Sequence, residues 1–485
     1  MAAPLLRKLL LVPLLALAAC GGDADRPVEV AAIGEAGSPF ALGARLPVAA
    51  QLVRSATAEG LVAFDGQGRV IPALADRWIV TDDGLSYIFR LRDGRWADGT
   101  PITGDNARTA LNEAIGRVRG TALGLDLAPI DEVRTMAGRV IEIRLKRQAP
   151  DFLQLLAQPE LGLLRRDRGA GPMRLVRQKQ SALLTPIAPE DRGLPQQPDW
   201  DQRTRNLRLA ALPAAEAIAR FNAGDADIVL GGRFEDFPRL DAGGVSRGAI
   251  RLDPVAGLFG LAIVGRPGFL SLPENREALS MAIDREAIET ALGVGGWTAT
   301  TRLVNPGLAD DNGTVGERWP GRSVAERQAQ AAARVARWNN DVQLKVALPA
   351  GPGADQIFAR LQADWAAIGV KAIRVAEGAA ADLVMVDTVA RYARADWFLN
   401  QLSCVAARGV CDSTADRLAS QARTEPDADK RAELHAEAEA RLTIANGFIP
   451  LGVPIRWSLV SGRASGLSPN PWSVHPLMPM TIRTK

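Results

Sequence analysis

Hydrophobic and polar side chains alternate along short stretches of the chain, and helical patterns lie between those stretches. VIEIRLKR (140–147) and VQLKVAL (342–348) alternate in part, LFGLAIV (258–264) is a nearly continuous apolar run, and ADLVMVD (381–387) ends on an acid. Alternation is typical of a half-buried strand, and a short apolar run is typical of a strand buried on both faces. All four stretches are therefore predicted to be strands.

Two helices are predicted, the first from the signal at its start and the second from its apolar spacing and the glycine at its end. TGDNARTALNEAIGRV begins with the capping candidate Thr103, and GADQIFARLQADWAAIG repeats apolar residues at helical spacing until Gly369. A side-chain acceptor before a helix and a glycine after it satisfy unpaired backbone groups. The strand VKAIRV (370–375) follows Gly369 at once. Helix, glycine stop and strand in this order indicate an α/β fold class.

The stretch DDGLSYIFRLRDGRWADGTP (82–101) contains three Asp-Gly pairs around a predicted strand at 85–91. An EF-hand calcium loop needs acids at alternate positions and a bidentate glutamate near its end, whereas no glutamate follows here before Glu113. Asp-Gly pairs beside a strand are typical of tight turns. Turns, and no metal site, are the prediction for this stretch.

Length and composition indicate an ordinary globular protein of two or three domains. The chain has 485 residues, of which 47% are hydrophobic and 23% charged. The proline-rich, polar segment 185–206 has no periodicity and is predicted to be an irregular loop or a connection between domains.

The first 19 residues have the features of a secretory signal peptide. Arg7 and Lys8 precede an apolar run of eleven residues, which is too short to span a bilayer comfortably. The residues LAAC, ending at Cys20, resemble the lipobox of bacterial lipoproteins, in which the cysteine becomes the acylated N-terminus. We expect residues 1–19 to be removed and Cys20 to be lipidated; the alternative is a plain signal peptide that contains a cysteine.

The formal charge argues against nucleic-acid binding, and the spacing of the other two cysteines favours a disulfide over a metal site. Removal of Arg7 and Lys8 lowers the formal charge from +3 to +1, which leaves no basic footprint for nucleic acid. Cys404 and Cys411 lie seven residues apart. In an oxidising compartment this spacing favours a local disulfide. A metal site is the alternative, but both histidines are distant in sequence.

Residues 59–111, which contain EGL, PALADRW, DDG, LRDG, DGTP and TGD in order, resemble the family 5 extracellular solute-binding proteins. This family comprises the oligopeptide, dipeptide and nickel receptors of ABC importers. Further similar segments are GAGPM (169–173), AIARFNAGDADIVL (217–230), NREALSMAIDREAI (275–288) and NPW (470–472). The resemblance thus extends over most of the mature chain.

The resemblance implies a periplasmic binding protein-like clamshell of two lobes and three domains, with one domain inserted. Domain I would comprise residues 28–51, 171–264 and 455–485, domain II residues 52–170, and domain III, the second lobe, residues 265–454. Crossings near Leu261 to Arg266 and Pro450 to Arg456 would form the hinge. A ligand between the lobes would shift the populations of the open and closed forms.

Several residues are candidates for ligand contact by the same resemblance. Relatives carry an aspartate in a context similar to RYARADWFLNQLSC, where it pairs with the α-amino group of the ligand, so Asp396 is the first candidate and a helix N-cap is its alternative role. Trp397 could contact ligand or lie in the core, and Arg391 and Arg394 could meet a carboxylate or be solvated.

The sequence departs from the family pattern at two regions from which relatives contact ligand. Ser38, Pro39 and Phe40 replace a Leu-Asp-Pro motif, and Met173 replaces the aromatic residue of the glycine turn. Ser38, Phe40 and Met173 therefore complete the candidate ligand contacts, although the departures prevent transfer of the relatives' substrate.

The chain is not expected to be an enzyme or to need a cofactor or metal. His435 lies in an acidic helical segment that we interpret as a solvent face, and His475 is interpreted as structural. General acid-base or triad chemistry therefore has few candidates, and phosphate-binding glycine loops are missing from the sequence.

The resemblance implies a substrate-binding lipoprotein, monomeric and anchored on the periplasmic side of the envelope, that delivers a peptide to an inner-membrane ABC permease. The alternative is a receptor of the same fold for a metal chelate, a sugar or another small solute, or a sensor. An aromatic content of 5%, with only two tyrosines, argues weakly against a large peptide pocket rich in tyrosine.

Overall fold

A computed structural model describes residues 26–242, 244–265, 268–308 and 310–483. The predicted signal peptide, Cys20 and Arg266 lie outside these residues. The strands in chain order are β1 Val28–Ile33, β2 Val62–Phe64, β3 Val70–Pro72, β4 Ala75–Val80, β5 Ser86–Leu91, β6 Ile130–Ala137, β7 Val140–Leu145, β8 Met173–Gln178, β9 Ser181–Pro186, β10 Leu207–Leu212, β11 Ile228–Arg233, β12 Ile250–Leu252, β13 Gly257–Ile263, β14 Val342–Leu348, β15 Val370–Ala376, β16 Leu383–Val389, β17 Phe448–Gly452 and β18 Arg456–Val460.

Helices cover the sheets and fill the connections between strands. In chain order they are α1 Val48–Thr57, α2 Gly104–Arg117, α3 Ala122–Asp126, α4 Phe152–Leu156, α5 Trp200–Arg203, α6 Ala214–Ala223, α7 Arg239–Ala242, α8 Pro273–Ala282, α9 Arg285–Leu292, α10 Val324–Val335, α11 Pro352–Ala366, α12 Ala395–Gln401, α13 Ser413–Ala422 and α14 Ala428–Ala445. Within the described part of the chain, no helix combines the length and apolar character needed to cross a membrane.

The described strands form four sheets, of which the smallest pairs β2 with β3, and the three larger sheets organise the molecule. A seven-stranded sheet has the order β12-β18-β11-β1-β10-β9-β8, a five-stranded sheet has the order β15-β14-β16-β13-β17, and a four-stranded antiparallel sheet has the order β4-β5-β7-β6. The five-stranded sheet is built from one continuous segment, 257–452, which we call the second lobe. The first lobe holds the other two sheets, with the four-stranded sheet inserted between β1 and β8. This is the two-lobed α/β architecture that the sequence predicts.

The chain crosses between the lobes twice. One crossing is 253–256, between β12 and β13, and the other is 453–455, between β17 and β18. The second lies within the predicted range Pro450 to Arg456. The first precedes the predicted range, because the apolar run of β13 pairs with both β16 and β17 and is thus an interior strand of the second lobe.

The lobes are closed on each other. One continuous core contains Phe89 and Ile141 from the four-stranded sheet together with Trp397 and Phe398 of α12 in the second lobe. The contact between the four-stranded sheet and α12 therefore removes apolar side chains of both lobes from water.

Two of the three Asp-Gly pairs at 82–101 form turns with glycine in the left-handed region. Gly84 has φ +67° and Gly99 has φ +80°, conformations that cost little for glycine. The Asp83 carboxylate accepts a hydrogen bond from the Leu85 amide at 2.9 Å, and the Asp98 carboxylate accepts one from the Thr100 amide at 3.0 Å. Turn chemistry occupies these acids, as predicted.

Candidate functional site

Two cavities lie between the lobes. The larger, of about 460 Å³, is lined by α3, by residues 146–151 and by the beginning of α12. We name it the acidic cavity after Asp126, Asp151 and Asp396; basic side chains line it as well, namely Lys146, Arg147, Arg394, Arg423 and Arg431. The smaller, of about 260 Å³, lies beside the crossings; we call it the hinge cavity, and Glu160, Asp387 and Arg391 are among its lining residues. A clamshell encloses its ligand between the lobes, so both are candidate sites.

Asp396 projects into the acidic cavity from the second position of α12. The N-cap of this helix is Arg394, whose side chain makes no capping hydrogen bond, and the first helical amide, that of Ala395, donates to Asp310 at 2.9 Å. The alternative N-cap role of Asp396 is therefore wrong. The Asp396 side chain is 20% exposed, and its Oδ1 atom is buried without a hydrogen-bond partner among the described residues. Burial raises the pKa of Asp396, and His435 and Arg394 lower it only in part. This carboxylate is suited to receive a cation.

Arg394 connects the two lobes across the acidic cavity. Its guanidinium lies 3.5 Å from the Asp151 carboxylate of the first lobe and 3.5 Å from the Asp310 carboxylate of the second. Its nearest approach to Asp396 is 3.9 Å. Arg394 is mostly buried, so the interpretation of this residue as a solvated surface arginine is wrong.

Two acids of the first lobe meet the second lobe in this cavity. Asp126, the last residue of α3, accepts hydrogen bonds from the Tyr392 hydroxyl at 3.2 Å and from the Asn400 amide at 3.3 Å. Burial raises the pKa of Asp126 to about 7 and that of Asp151 to about 6. Both carboxyls therefore change charge near neutral pH.

The interpretation of His435 as a residue on a solvent face is wrong. The side chain is 3% exposed, lines the acidic cavity, and places Nδ1 3.2 Å from Asp310 Oδ2, although the angle there does not make a hydrogen bond. The buried face of α14 carries polar side chains: Glu439, one turn further on, pairs with the buried Arg302 at 2.8 Å. The ion-pair partners of these side chains are distant in sequence, so the hydrophobic periodicity of α14 could not show that this face is buried.

Substitution of Asp126 by Asn should change how stability depends on pH. In the wild type the folded carboxyl keeps its proton up to about pH 7, whereas the same carboxyl in the unfolded chain has the ordinary aspartate pKa of 3.8 and releases its proton earlier. Stability is therefore lost as pH rises through this window. Asn cannot ionise, and it retains an acceptor for Tyr392, so the variant should gain up to about 4 kcal/mol over the wild type between pH 4 and pH 8.

Urea unfolding at pH 4, 6 and 8 measures this difference. The exposed acid Asp131 serves as the matched control, and Asp131→Asn should leave the pH dependence unchanged. An Asp126→Asn curve that runs parallel to the wild-type curve would show that Asp126 is ionised throughout.

An ion-pair cluster at the hinge cavity joins the lobes beside the crossings. Asp387, on β16, has a fully buried side chain that lies 3.0 Å from Arg233 Nε and 2.8 Å from Arg456 Nη1, both in the first lobe. Burial alone would lower the pKa of Arg233, but the charges of Asp387 and Glu235 raise it above its usual range. The Asp387 carboxylate is fully engaged by these two arginines.

The three remaining candidates lie away from both cavities. Met173 is 2% exposed in the core of the seven-stranded sheet, and Phe40 packs under the Arg177 guanidinium at 4.2 Å. Ser38 begins a short 3₁₀ helix, with a buried Oγ atom that lacks a hydrogen-bond partner among the described residues. The structure does not bring these residues together with Asp396. Trp397 is also a core residue, packed edge-to-face on Phe398 at 4.9 Å.

The hinge cavity contains residues that sequence reasoning missed. Glu160 lies within a mostly apolar stretch, Asp387 lies within β16 and Arg233 ends β11, and none of them belongs to a motif. Arg456 is different, since it ends the predicted second crossing. His475 also lines this cavity, where its Nε2 lies 3.1 Å from Asp253 Oδ2, consistent with the structural role expected for it.

The Cys404–Cys411 disulfide closes the loop after α12, as the spacing predicted. In the described ranges no three metal-ligating side chains of the His, Cys, Asp and Glu types are grouped as a metal site would require.

The closed lobes, the two crossings and the enclosed cavities define a two-lobed solute-binding protein. Residues 69–181 and 197–406 match the family described as bacterial extracellular solute-binding proteins, family 5. The chain belongs to this family, whose members bind solutes outside the cytoplasm and are not enzymes.

Relatives and solved structures agree with this assignment. The chain is 24% identical over 470 residues to the dipeptide-binding protein of Pseudomonas aeruginosa, covering 85% of this chain and 87% of the relative. It is 34% identical over 125 residues to a probable deoxycholate-binding periplasmic protein of Escherichia coli, but that match covers 21% of this chain and 23% of the relative. The structure of Haemophilus influenzae OppA in complex with RPPGFSPFR superposes with a TM-score of 0.80 at 17% identity, covering 95% of this chain and 100% of the other.

Proposed function

We propose that this protein is the substrate-binding subunit of an ABC importer and captures a peptide between its two lobes for delivery to a permease in the inner membrane. The observation that carries the proposal is the acidic cavity, which both lobes enclose and in which one oxygen of the Asp396 carboxylate has no hydrogen-bond donor among the described residues. Relatives that match most of the chain are named for dipeptide or di/tripeptide binding.

Asp396 is the proposed contact for the α-amino group of the peptide. A desolvated ammonium needs a carboxylate within hydrogen-bond reach, and a charge-assisted bond of this kind is stronger than a neutral one. Closure then adds the contacts of Arg394 with Asp151 and of Tyr392 with Asp126, which join the lobes around the ligand. Binding and closure are thereby coupled.

We also propose that the mature protein begins at a lipidated Cys20 and is held, as a monomer, on the periplasmic side of the envelope. Cys20 lies eight residues before β1, so the first lobe would stay near the membrane. The predicted three-domain division is kept with two changes. The boundary at 264 moves to 253–256, because β13 pairs within the five-stranded sheet. The boundary at 51 moves past the end of α1, because Leu52 and Val53 pack in the core of the seven-stranded sheet.

Mass spectrometry of the solute released from protein purified without denaturation tests the proposed function. A mixture of peptides is the expected result. A single non-peptide solute would instead identify a receptor of the same fold with another substrate. Protein that releases nothing in repeated preparations, and whose melting temperature no peptide raises, would contradict the proposal altogether.

A further inference from the structure

Arg391, which follows β16 in the second lobe, has unused hydrogen-bonding capacity inside the hinge cavity. Its guanidinium meets Glu160 of the first lobe at 3.5 Å, the outer limit of a hydrogen bond. The Nε atom is buried and has no acceptor among the described residues. A guanidinium offers five donors, and among the described residues Glu160 is the acceptor found for this one, so Nε remains available to a ligand.

Most of the other charged side chains that line the hinge cavity form ion pairs with one another. Asp387 is held by Arg233 and Arg456, as described above. Glu160 is the remaining acid that lines the cavity, and it also interacts with the positive charge of Arg54 on α1. Arg391 therefore shares the Glu160 carboxylate with another arginine. Among the described residues that line the cavity, three arginines (Arg233, Arg391 and Arg456) face two acids.

More positive charge surrounds Arg391. Arg408, in the loop closed by the disulfide, has a pKa lowered first by burial and then by the charges of Arg45 and Arg391. Arg45 belongs to the first lobe, so arginines of both lobes converge here when the molecule closes. Burial raises the pKa of Asp126 to about 7, although the charge of Arg391 acts to lower it. Asp126 thus carries about half a negative charge at neutral pH.

Apolar side chains complete the walls of the hinge cavity. Val48 and Leu52 of α1, Pro159, Val389 and Trp472 line it together with the charged groups. A volume of about 260 Å³ lies slightly below the usual range for ligand pockets, of roughly 300–1,000 Å³. The cavity suits a compact solute with an apolar body and one anionic end.

We propose that the hinge cavity binds a carboxylate of the captured solute and that Arg391 is the residue that selects for it. This inference rests on the proposed capture of a solute between the lobes and specifies its chemical class as acidic. A planar carboxylate can accept hydrogen bonds from Nε and one Nη of the same guanidinium, an arrangement that an amide or an alcohol cannot reproduce. Glu160 competes for the Nη2 group of Arg391.

Matched pairs of acids and their primary amides test the proposal. The panel contains dipeptides with apolar side chains, their C-terminal amides, and small monocarboxylates such as 3-phenylpropionate with its amide. Melting temperature screens the pairs, and calorimetry measures the dissociation constants of those that bind. We expect binding by acids and at least tenfold weaker binding by the matching amides.

Variants of Arg391 connect this preference to the residue. Arg391→Gln should remove the discrimination between acid and amide, whereas Arg391→Lys should keep part of it because a charge remains without the planar fork. The control is Arg417→Gln on α13, an exposed arginine of the same lobe that lines neither cavity; it should bind acids as the wild type does.

Glu160→Gln gives a result that a purely structural role for Arg391 would not produce. Without the competing carboxylate, Arg391 should bind acids several-fold more tightly, although an ion pair between the lobes has been removed. Weaker binding in this variant would contradict the proposed competition.

The outcomes separate this inference from the proposed function. Amidated peptides that bind as well as their acids would overturn the role of the hinge cavity and leave peptide capture intact. Monocarboxylates that bind when no peptide does would overturn peptide capture and leave the role of Arg391 intact. An acid preference that persists in Arg391→Gln, or no binding by any acid of the panel, would overturn the inference.

Discussion

Asp396→Asn is expected to abolish the thermal stabilisation that peptides give, while the free protein melts at the same or a higher temperature. The substitution keeps the size of the side chain and removes the charge that would pair with a ligand ammonium. Loss of one partner of a buried charge pair costs about 2–5 kcal/mol, so affinity should fall by about 30-fold or more. Burial raises the pKa of Asp396, which means that its ionised form destabilises the empty protein at neutral pH.

Thermal melting with and without a peptide mixture measures this effect, and Asp105→Asn is the matched control. Asp105 is likewise the second residue of its helix, α2, but it is exposed and lines neither cavity. If Asp396→Asn retains peptide-induced stabilisation, Asp396 does not contact the ligand. If both variants lose it, the effect arises from the helices and not from the cavity.

Asp387→Asn is expected to destabilise the folded protein by about 3–5 kcal/mol, because it removes a buried carboxylate from two partly buried guanidinium groups. Arg456 pairs with Asp387 at 2.8 Å, and Arg233 would retain the more distant Glu235 at 3.5 Å. The free energy of unfolding in urea measures the loss, and small-angle X-ray scattering reports whether the free protein opens.

Glu216→Gln is a suitable comparison for the Asp387 substitution. Glu216 pairs with Arg220 at 2.7 Å on the exposed face of α6, where such pairs contribute about 0.3–0.5 kcal/mol. A loss below about 1 kcal/mol in Asp387→Asn would mean that water replaces the carboxylate and that the cluster does not hold the lobes together.

Local chemistry explains why much of the fold could be predicted from the sequence. The side chain of Thr103 accepts a hydrogen bond from the Asn106 amide, so α2 begins where the capping residue requires. Gly369 has φ +80° after α11, and β15 begins at the next residue. Within these elements, each boundary is decided by residues a few positions apart.

The site was less predictable because contacts between distant segments build it. Tyr392 and Asp126 are 266 positions apart, and Arg391 and Glu160 are 231 apart. The buried position of His435 depends on Asp310 and on the packing of α14 against α12 and α13. The family resemblance predicts ligand contacts at 391–397 but does not predict the acids of the first lobe that face this segment.

The Asp387 ion pairs lie beside the two crossings, about which the lobes would rotate. Asp387 pairs through β16 with Phe259, a few residues after the first crossing, and Arg456 directly follows the second. In a rigid rotation, displacement grows with distance from the axis, so these ion pairs hardly change length as the lobes swing. The Arg394–Asp151 and Tyr392–Asp126 contacts have a longer lever arm and must separate. We therefore expect the Asp387 pairs to keep the lobes aligned as they swing, and the outer contacts to set how long a captured solute stays enclosed.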